Sequence, residues 1–417
     1  MKKVFYLTVF CVVFIVNLKA QDLDNFWEAL PFPSNTSLTE VVTNSRGDIF
    51  VAFHSGIDYY EDGGVFRSTD GGYTWDYVYQ GKKSRLNRIA INDSGYIYTT
   101  ARSSEKLVFS KDNGETWNEI SLPTEARGNI IKIFCHGKDT LFVSTWEDNG
   151  AFISVSFDNG ETWNTNYLTN GTSDYITDIA VSSENEFYVT INGFVNGRGG
   201  VYKSVDGGIT WDFFGLIDHQ LFAVEINQYD DIFVGAKEGG GLCVLYHDTT
   251  SFQYLTPYIT PDIAISSDNV ICTIALNTVM LSYDNGKTFI KVTDPLTSGI
   301  KALHISANNH LYGAGAINCN LIRSLDPVVQ TSSTHSNLLH QTKVYPNPAT
   351  NIININTEQF LNKEISSVVI TDISGRQMKV SSVNDAQIDI SNLNEGTYII
   401  TVLAGDKVYR SKFLVTR

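Results

Sequence analysis

Three stretches of this sequence bring carboxylates, aromatic rings and an arginine together in loops, a composition that suits a carbohydrate ligand. An aromatic ring stacks against the C–H face of a sugar, and a carboxylate accepts hydrogen bonds from its hydroxyls. Glycines surround these residues, so the alternative interpretation is that they are solvated loop positions. The candidate ligand-binding residues are Asp58, Tyr59, Tyr60, Glu61, Trp146, Glu147, Asp148 and Arg198.

The same carboxylates define a second hypothesis, a glycoside hydrolase. Hydrolysis of a glycosidic bond needs two carboxyl groups that flank the scissile bond. Asp58, Glu61, Glu147 and Asp148 have the required chemistry if their loops converge. The sequence leaves their separation open and assigns no catalytic residue, so it favours a binding protein over an enzyme. No cofactor is expected.

An eight-residue motif, Ser-x-Asp-x-Gly-x-Thr-aromatic, recurs along the chain and predicts a hairpin at each copy. Its centre is Asn-Gly or Gly-Gly, which tolerates the positive φ of a tight turn. The Asp can accept hydrogen bonds from the turn's own N–H and hydroxyl groups, which gives it a structural role. The five copies span 68–75, 110–117, 156–163, 204–211 and 282–289, and their aspartates are Asp70, Asp112, Asp158, Asp206 and Asp284.

The spacing of the motif predicts seven units. Successive copies lie about 40–50 residues apart, the period of one four-stranded propeller blade. The long gap before the last copy holds a degenerate unit at 243–248, and a seventh unit begins at Leu321 and is cut off by Pro327. The segment Phe26–Pro31 aligns with 116–121, so we expect it to supply the strand that the seventh unit lacks.

The motif resembles the Asp-box, or BNR repeat, of sialidase-like β-propellers. The resemblance implies that the boxes lie at the periphery and that the opposite face, with the central channel, is where a ligand binds. By this resemblance a hydrolase would be sialidase-like or xyloglucanase-like, and the absence of the Arg-Ile-Pro motif, with Arg67 followed by Ser68, disfavours a sialidase. Connections between repeats reach the same opposite face and contain Arg85, Arg127, Asp174, Tyr175, His219, Gln220 and Asp262.

Composition and charge narrow the class further. The chain has 42% hydrophobic and only 18% charged residues, with many Tyr, Phe and Gly, which is typical of a β protein with a large core. The formal net charge of −15 disfavours nucleic acid as a partner. Residues 1–20, with Lys2, Lys3 and a short apolar run, predict a secretory signal cleaved after Ala20, and no other segment predicts a transmembrane helix.

Four cysteines follow the predicted signal, and none forms a CxxC pair, so no metal site is expected. Two interpretations stay open for them. They are buried free thiols, or disulfides join Cys243 to Cys272 or Cys272 to Cys319.

The last 74 or so residues predict a separate small β domain, because alternating strands follow a polar linker. Their motifs resemble the C-terminal sorting domain of type IX secretion substrates. The matching residues include Pro346, Asn347, Pro348, Gly396, Tyr398, Lys412 and Arg417. The resemblance implies the type IX secretion machinery as a partner, and a secreted or outer-surface location in a Gram-negative bacterium.

Together these observations predict an all-β protein, a seven-bladed β-propeller followed by a small immunoglobulin-like β-sandwich. The predicted divisions are a signal at 1–20, the propeller at 21–327, a linker at 328–343 and the sorting domain at 344–417. A glycan or a surface protein is the expected ligand.

Overall fold

The computed structural model divides the chain into two compact units, residues 1–330 and 331–417. Apart from two single-turn 3₁₀ helices, Thr124–Ala126 and Pro295–Thr297, the regular structure of the described residues is β-strand. The predicted all-β class is confirmed. No described helix is long and apolar enough to cross a bilayer. The structure describes residues 26–33, 37–54, 63–80, 88–100, 106–126, 128–147, 150–169, 174–193, 199–216, 220–237, 240–275, 277–292, 294–297, 299–315, 321–329, 340–341, 344–355, 365–372, 377–378, 383–384, 387–404 and 407–417.

The described strands of the first unit form seven four-stranded antiparallel sheets, numbered here along the chain. The strand β1 is Trp27–Ala29. Sheet 1 is β2 (Ser37–Thr43), β3 (Ile49–His54), β4 (Gly64–Ser68) and β5 (Asp76–Gln80). Sheet 2 is β6 (Ile89–Ile91), β7 (Ile97–Thr100), β8 (Lys106–Ser110) and β9 (Asn118–Ser121). Sheet 3 is β10 (Asn129–His136), β11 (Thr140–Glu147), β12 (Gly150–Ser156) and β13 (Asn164–Thr169).

The remaining sheets follow the same order. Sheet 4 is β14 (Tyr175–Val181), β15 (Phe187–Asn192), β16 (Gly200–Ser204) and β17 (Asp212–Gly215). Sheet 5 is β18 (Leu221–Ile226), β19 (Ile232–Ala236), β20 (Leu242–Leu245) and β21 (Gln253–Thr256). Sheet 6 is β22 (Ile263–Ile265), β23 (Ile271–Ala275), β24 (Thr278–Ser282) and β25 (Ile290–Lys291). Sheet 7 is β26 (Ile300–Ile305), β27 (Leu311–Gly315), β28 (Ile322–Ser324) and the early strand β1.

The sheets pack face to face, and this packing explains why the middle strands are apolar on both sides. One shared core contains Phe142 and Ile153 of sheet 3 against Ile176 and Val189 of sheet 4, and each of these side chains is 0% exposed. Burying a side chain of this size stabilises a fold by about 1.5–3 kcal/mol. Similar clusters lie between other neighbouring sheets.

The first strands of the seven sheets form a closed cycle. Each contacts the first strand of the next sheet, and β26 contacts β2. The early strand β1 completes sheet 7, where Trp27 pairs with Ser324 and Ala29 pairs with Ile322. This is the closing strand expected from Phe26–Pro31, and it covers an edge that would otherwise be open. The arrangement is that of a β-propeller.

The Ser-x-Asp motif forms the turn between the third and fourth strands and satisfies its own polar groups. In sheet 3, Ser156 Oγ donates to Asp158 Oδ1 at 2.7 Å and accepts from Gly160 N at 2.7 Å. The Thr162 N–H and hydroxyl donate to Asp158 at 2.8 and 2.5 Å. These bonds, first those from Thr162, lower the pKa of Asp158 to about 2. The other four copies have the same bonds.

This bonding also corrects one strand boundary. The sequence pattern predicts a fourth strand of sheet 2 from Thr116 to Ile120, but the strand begins at Asn118. The Thr116 N–H is bonded to Asp112 Oδ1 at 2.8 Å inside the turn, so it is not available to the ladder.

An asparagine in three of these turns links each of them to the preceding sheet. Asn113, Asn159 and Asn285 have positive φ values of 63°, 60° and 60°. Their side chains bond to Asn44, Asn92 and Asn227, in the turn between the first two strands of the neighbouring sheet, at 2.9, 3.0 and 2.8 Å. The face that carries the Ser-x-Asp turns is therefore held together by amide pairs.

The second unit contains two sheets around one core. The five-stranded sheet has β29 (His340–Gln341), β32 (Ile365–Asp372), β33 (Gln377–Met378), β36 (Gly396–Ala404) and β37 (Lys407–Val415). The four-stranded sheet has β30 (Val344–Tyr345), β31 (Ile352–Ile355), β34 (Val383–Asn384) and β35 (Gln387–Asp389). Ile353 of one sheet and Ile400 of the other are both 0% exposed in this core.

Two of the predicted sorting residues bind backbone in this unit. Asn347 accepts from Leu414 N at 2.9 Å and donates to Lys412 O at 3.2 Å. The Arg417 guanidinium donates to the carbonyl oxygens of Thr350 and Leu393, at 2.7 and 2.6 Å. Both side chains therefore fix the end of β37 against the rest of the unit.

Within the described residues the cysteines are free thiols: Cys135, Cys243 and Cys272. Burial raises the pKa of Cys243 to about 12, so this thiol is unreactive. The free-thiol interpretation is confirmed for these three, and Cys319 lies outside the described residues.

Candidate functional site

Two of the predicted ligand-binding residues, Trp146 and Glu147, lie at the end of sheet 3 opposite its Ser-x-Asp turn, where the second and third strands meet. Trp146 and Glu147 are the last two residues of β11, and they pair with Ala151 and Gly150 of β12. Asp148 follows immediately and lies outside the described residues. The other candidates outside the described residues are Asp58, Tyr59, Tyr60, Glu61 and Arg198.

Polar atoms without hydrogen-bond partners concentrate at this end of sheets 3, 4 and 5. Of the twelve buried side-chain nitrogen and oxygen atoms that lack a partner among the described residues, nine belong here. A buried polar group without a partner costs about 1–3 kcal/mol, and more when it is charged. Such a concentration is characteristic of a place where another molecule completes the bonding. The residues are Thr145, Trp146, Thr169, Asp174, Asn192, Gln220 and Thr256.

Asp174 is the most unusual of these residues. Its side chain is 0% exposed, yet neither carboxylate oxygen has a partner among the residues that the structure describes. It directly precedes β14, whose first residue Tyr175 pairs with Asn192. Asn192 is 1% exposed, forms a bridge with Gln220 of the next sheet, and has no partner for its amide oxygen or nitrogen.

A hydrogen bond fixes the level of Trp146 relative to Asp174. Ser144 Oγ of β11 donates to the carbonyl oxygen of Ile176 in β14 at 3.2 Å, so Ser144 points toward sheet 4. Two residues further toward the loop face are Trp146 on one strand and Asp174 on the other. Side chains alternate along a strand, so Trp146 points toward sheet 4 like Ser144.

A second group of charged residues lines the central channel. Lys132 Nζ lies 3.3 Å from Glu40 Oε1 and 3.1 Å from Asp178 Oδ1. Burial opposes the charge of Lys132, but these carboxylates raise its pKa. The side chains are 24%, 15% and 11% exposed, so the group retains contact with water. This ion triad joins the first strands of sheets 1, 3 and 4 across the channel.

The carboxylates of the channel also bind backbone of the next sheet. Glu40 accepts from Ile89 N at 2.9 Å, and Asp178 accepts from Val224 N at 3.1 Å. Asp262 accepts from Leu303 N at 2.6 Å. A bulge precedes Glu40 and Asp178 in their strands. The repeated geometry joins successive sheets at the axis.

Three further channel groups have shifted proton affinities. Burial raises the pKa of Asp262 to about 7, with a contribution from the charge of Asp178. Burial and Asp178 likewise raise the pKa of Glu225 to about 8. Burial lowers the pKa of His304 to about 4, and its Nε2 accepts from Thr43 N at 3.1 Å. The channel therefore holds titratable groups with shifted pKa values, which is a property of acid–base sites as well as of buried ion networks.

Sequence reasoning noted Asp174, Gln220 and Asp262 only as loop residues and did not find the channel group. A signal was available in the sequence. In sheets 1 to 4 and in sheet 6, a charged residue lies within the first strand or directly before it, next to apolar residues. These residues are Glu40, Arg88, Lys132, Asp178 and Asp262.

The opposite face has a cleft in which several of the charged groups already have partners. Its volume is about 350 Å³, and it lies between the turns of sheets 1 and 2. Asp112 is bonded within its turn, Arg46 pairs with Asp48 at 3.4 Å, and the ammonium of Lys111 lies 5.2 Å from the centre of the Tyr96 ring. Among the described residues, no group of three or more His, Cys, Asp or Glu side chains is placed to bind a metal ion.

Comparison with protein families identifies the second unit. The family described as "Secretion system C-terminal sorting domain" matches residues 343–416. This match indicates export through type IX secretion to the cell surface or beyond it. No curated protein matches the chain.

Solved structures that resemble the chain are β-propellers. YCF48 from Cyanidioschyzon merolae is 16% identical with a TM-score of 0.54, and the match covers 72% of this chain and 98% of that one. A virginiamycin B lyase from Staphylococcus aureus, solved as a catalytically inactive form with quinupristin, is 12% identical with a TM-score of 0.58, over 72% of this chain and 99% of that one.

A third similar structure is PorZ, described as an essential bacterial surface component of the type-IX secretion system of Porphyromonas gingivalis. It is 16% identical with a TM-score of 0.55, and the match covers 94% of this chain but only 61% of PorZ. At these identities the three structures establish a β-propeller fold and nothing about activity.

Proposed function

We propose that this protein is a seven-bladed Asp-box β-propeller that is exported by type IX secretion and binds a glycan or a protein on the face opposite its Ser-x-Asp turns. Each four-stranded sheet is one blade, and β1 closes the ring. The propeller extends over residues 21–327 after signal cleavage at Ala20, and an immunoglobulin-like sorting domain over 344–417 directs export.

The binding proposal depends on one observation: the polar groups at the two ends of the sheets differ in whether they have hydrogen-bond partners. The side chains of the Ser-x-Asp turns form hydrogen bonds within the turn. By contrast, nine buried side-chain atoms at the loop face have no hydrogen-bond partner among the described residues. Unsatisfied buried groups lower stability, so their concentration at one place fits a function there rather than a structural role.

A binding screen tests the proposal. The purified chain is applied to a glycan array and to immobilised polysaccharides, and in parallel it is used to capture proteins from the outer surface of the producing cell. Saturable binding to a glycan or to one partner protein supports the proposal. Absence of any ligand across both screens would overturn it.

A glycoside hydrolase is the second candidate, favoured by the carboxyl groups along the channel. Asp262, with its raised pKa, suits a general acid, and Asp178, 3.1 Å from Lys132, would be the second carboxyl group that hydrolysis needs. Turnover of chromogenic glycosides or polysaccharides that disappears in Asp262→Asn or Glu147→Gln would establish it. A broad substrate panel without turnover would rule it out.

A further inference from the structure

The outermost strands of four propeller sheets each expose one aromatic residue near the loop face. In each of these sheets a glycine begins or directly precedes the third strand, and the aromatic residue pairs with the residue two positions after that glycine. The pairs are Phe66 with Tyr77, Phe152 with Tyr167, Tyr202 with Phe213, and Cys243 with Tyr254. We name the four residues of the outermost strands the rim aromatics: Tyr77, Tyr167, Phe213 and Tyr254.

The rim aromatics are accessible to solvent. In chain order they are 46%, 49%, 49% and 48% exposed. The third strand of each sheet starts at the loop face, so a residue beside its first positions lies at the rim of that face. Tyr77 shows this position directly, because its hydroxyl donates to the carbonyl oxygen of Gly63, just before β4, at 3.2 Å. The rings are therefore open to a ligand at the loop face.

A glycine holds three of the rings from one side. A Cβ atom at the glycine would lie 2.6, 2.7 and 2.7 Å from a ring atom, which is too close for a real contact, so only glycine admits a ring at this place. The pairs are Gly64 with Tyr77, Gly150 with Tyr167, and Gly200 with Phe213. A ring that is fixed before binding loses little conformational entropy when a ligand stacks on it.

The propeller does not require this combination of a glycine and a ring. Sheets 2 and 6 begin their third strands with Lys106 and Thr278, and they have Glu119 and Lys291 at the equivalent pairing position. Both sheets still have four strands. Glycine in a strand loses more conformational entropy on folding than other residues do, and a half-exposed ring gains only part of its burial energy. The fold alone therefore does not account for the rim aromatics.

The shape, repetition and charge of this region restrict the ligand. The flat apolar face of an aromatic ring complements the C–H face of a sugar ring. Rings that repeat from sheet to sheet match a ligand that repeats the same sugar, because engaging several of them multiplies the affinity. The net charge of −15 disfavours a polyanionic chain and also a second copy of this protein.

We infer that the rim aromatics are stacking platforms for a neutral polysaccharide, which binds along the rim of the loop face through the C–H faces of successive sugar residues. Sheets 3, 4 and 5 are neighbours and each carries one platform, so they form the main part of this surface. The inference rests on the proposed binding function and adds to it the class of ligand and a multivalent mode of binding.

Calorimetry with the purified chain tests the inference, with laminarin, xyloglucan and galactomannan as neutral probes and polygalacturonate as an acidic one. We expect a neutral polymer to bind. Replacing one ring by leucine, as in Tyr167→Leu or Phe213→Leu, should weaken that binding by about twofold to tenfold. The triple variant with Tyr254→Leu should weaken it by about a hundredfold, and a trisaccharide of the same polymer should bind the wild-type chain at least as weakly.

Two measurements separate a ligand surface from a structural role. Leucine keeps an apolar side chain beside the glycine and removes only the flat face, so the melting temperature should stay close to that of the wild-type chain. The matched controls are Tyr73→Leu and Tyr229→Leu. Both tyrosines are 52% exposed but lie at the Ser-x-Asp face, so these variants should bind the polymer like the wild-type chain.

The outcomes distinguish this inference from the proposed function. If a neutral polymer binds and the triple variant binds it equally, the ligand lies elsewhere, and the inference fails while the proposed function stands. If the leucine variants lose stability but not affinity, the rings only cover the glycines, and the inference also fails. Preferred binding of polygalacturonate, or loss of a captured partner protein in the triple variant, contradicts it. Should the triple variant not fold, the single variants provide the same comparison.

Discussion

The two ends of the propeller sheets use carboxylates in opposite ways. At one end Asp158 accepts bonds from Thr162 and Ser156 and is held ionised, with a pKa of about 2. At the other end Asp174 is fully buried and its oxygens have no partner. The sequence shows two similar acidic residues, and only their surroundings distinguish the bonded carboxylate from the buried one that has no partner among the described residues.

This difference determines how a substitution at each face should affect the stability of the protein. At the Ser-x-Asp face a polar side chain stabilises the fold, so its removal should lower the free energy of unfolding. At the loop face a buried polar side chain without a partner among the described residues lowers stability, so its removal should cost little in the free energy of unfolding. The ion triad of Lys132, Glu40 and Asp178 in the channel is intermediate in this respect, because its charges are paired but remain in contact with water.

The largest effect is expected from Lys132→Met in the channel. The substitution leaves Glu40 and Asp178 without their shared cation, and removing one partner of a buried ion network costs about 3–5 kcal/mol. Urea unfolding followed by circular dichroism measures it. The triple variant with Glu40→Gln and Asp178→Asn should recover much of the loss, and a Lys132→Met protein of unchanged stability would show that the charges are solvated and unpaired.

A smaller effect is expected from Ser156→Ala in a Ser-x-Asp turn. Its hydroxyl is 1% exposed and accepts the Gly160 N–H at 2.7 Å, so the substitution leaves a buried donor without a partner. The expected loss in the free energy of unfolding is about 1–3 kcal/mol. The control is Thr169→Val at the loop face, which removes a hydroxyl without a partner and should cost less. Equal losses in the free energy of unfolding at the two positions would contradict the difference between the two faces.

The third effect is a pH dependence of stability. The folded-state pKa values of Asp262 and Glu225, about 7 and 8, lie above those of the unfolded chain, so the folded state holds protons that the unfolded state has released. Stability should therefore fall as pH rises from 7 to 8, by at most about 1.4 kcal/mol per pH unit and group. His304, with its pKa lowered to about 4, acts below this window.

Thermal unfolding at pH 7.0, 7.5 and 8.0 measures this dependence. Asp262→Asn with Glu225→Gln should flatten it, whereas Asp158→Asn should not, because the Asp158 carboxylate is ionised throughout this range. A slope that survives the double substitution would show that other groups titrate.

The β class, the repeated turns and the closing strand were all predictable, because each depends on local chemistry that recurs. An Asn-Gly or Gly-Gly centre favours a positive φ, and an aspartate four residues before a threonine can close the turn. The position of β1 as the fourth strand of sheet 7 was predictable because Phe26–Pro31 resembles residues 116–121.

The group of buried polar side chains at the loop face could not be predicted in the same way. It depends on a register that places Trp146 beside Ala151 and on the packing of β11 against β14, neither of which has a local signature. The Asn159 contact to Asn92 is similar, because the motif accepts glycine equally well at that position, as Gly207 shows. Long-range pairing selects among residues that local rules treat alike.

The closing strand has a consequence for how quickly this protein folds and unfolds. Trp27 pairs with Ser324, and Glu28 meets Arg323 across 295 residues of sequence. Contacts between residues so far apart in the sequence form late in folding. Closing a long loop costs conformational entropy before the contact can compensate for it. Folding is therefore expected to be slow, and an unclosed ring exposes the edge of β28. Once formed, contacts made after the folding transition state mainly slow unfolding, so the closed ring should persist for long periods outside the cell.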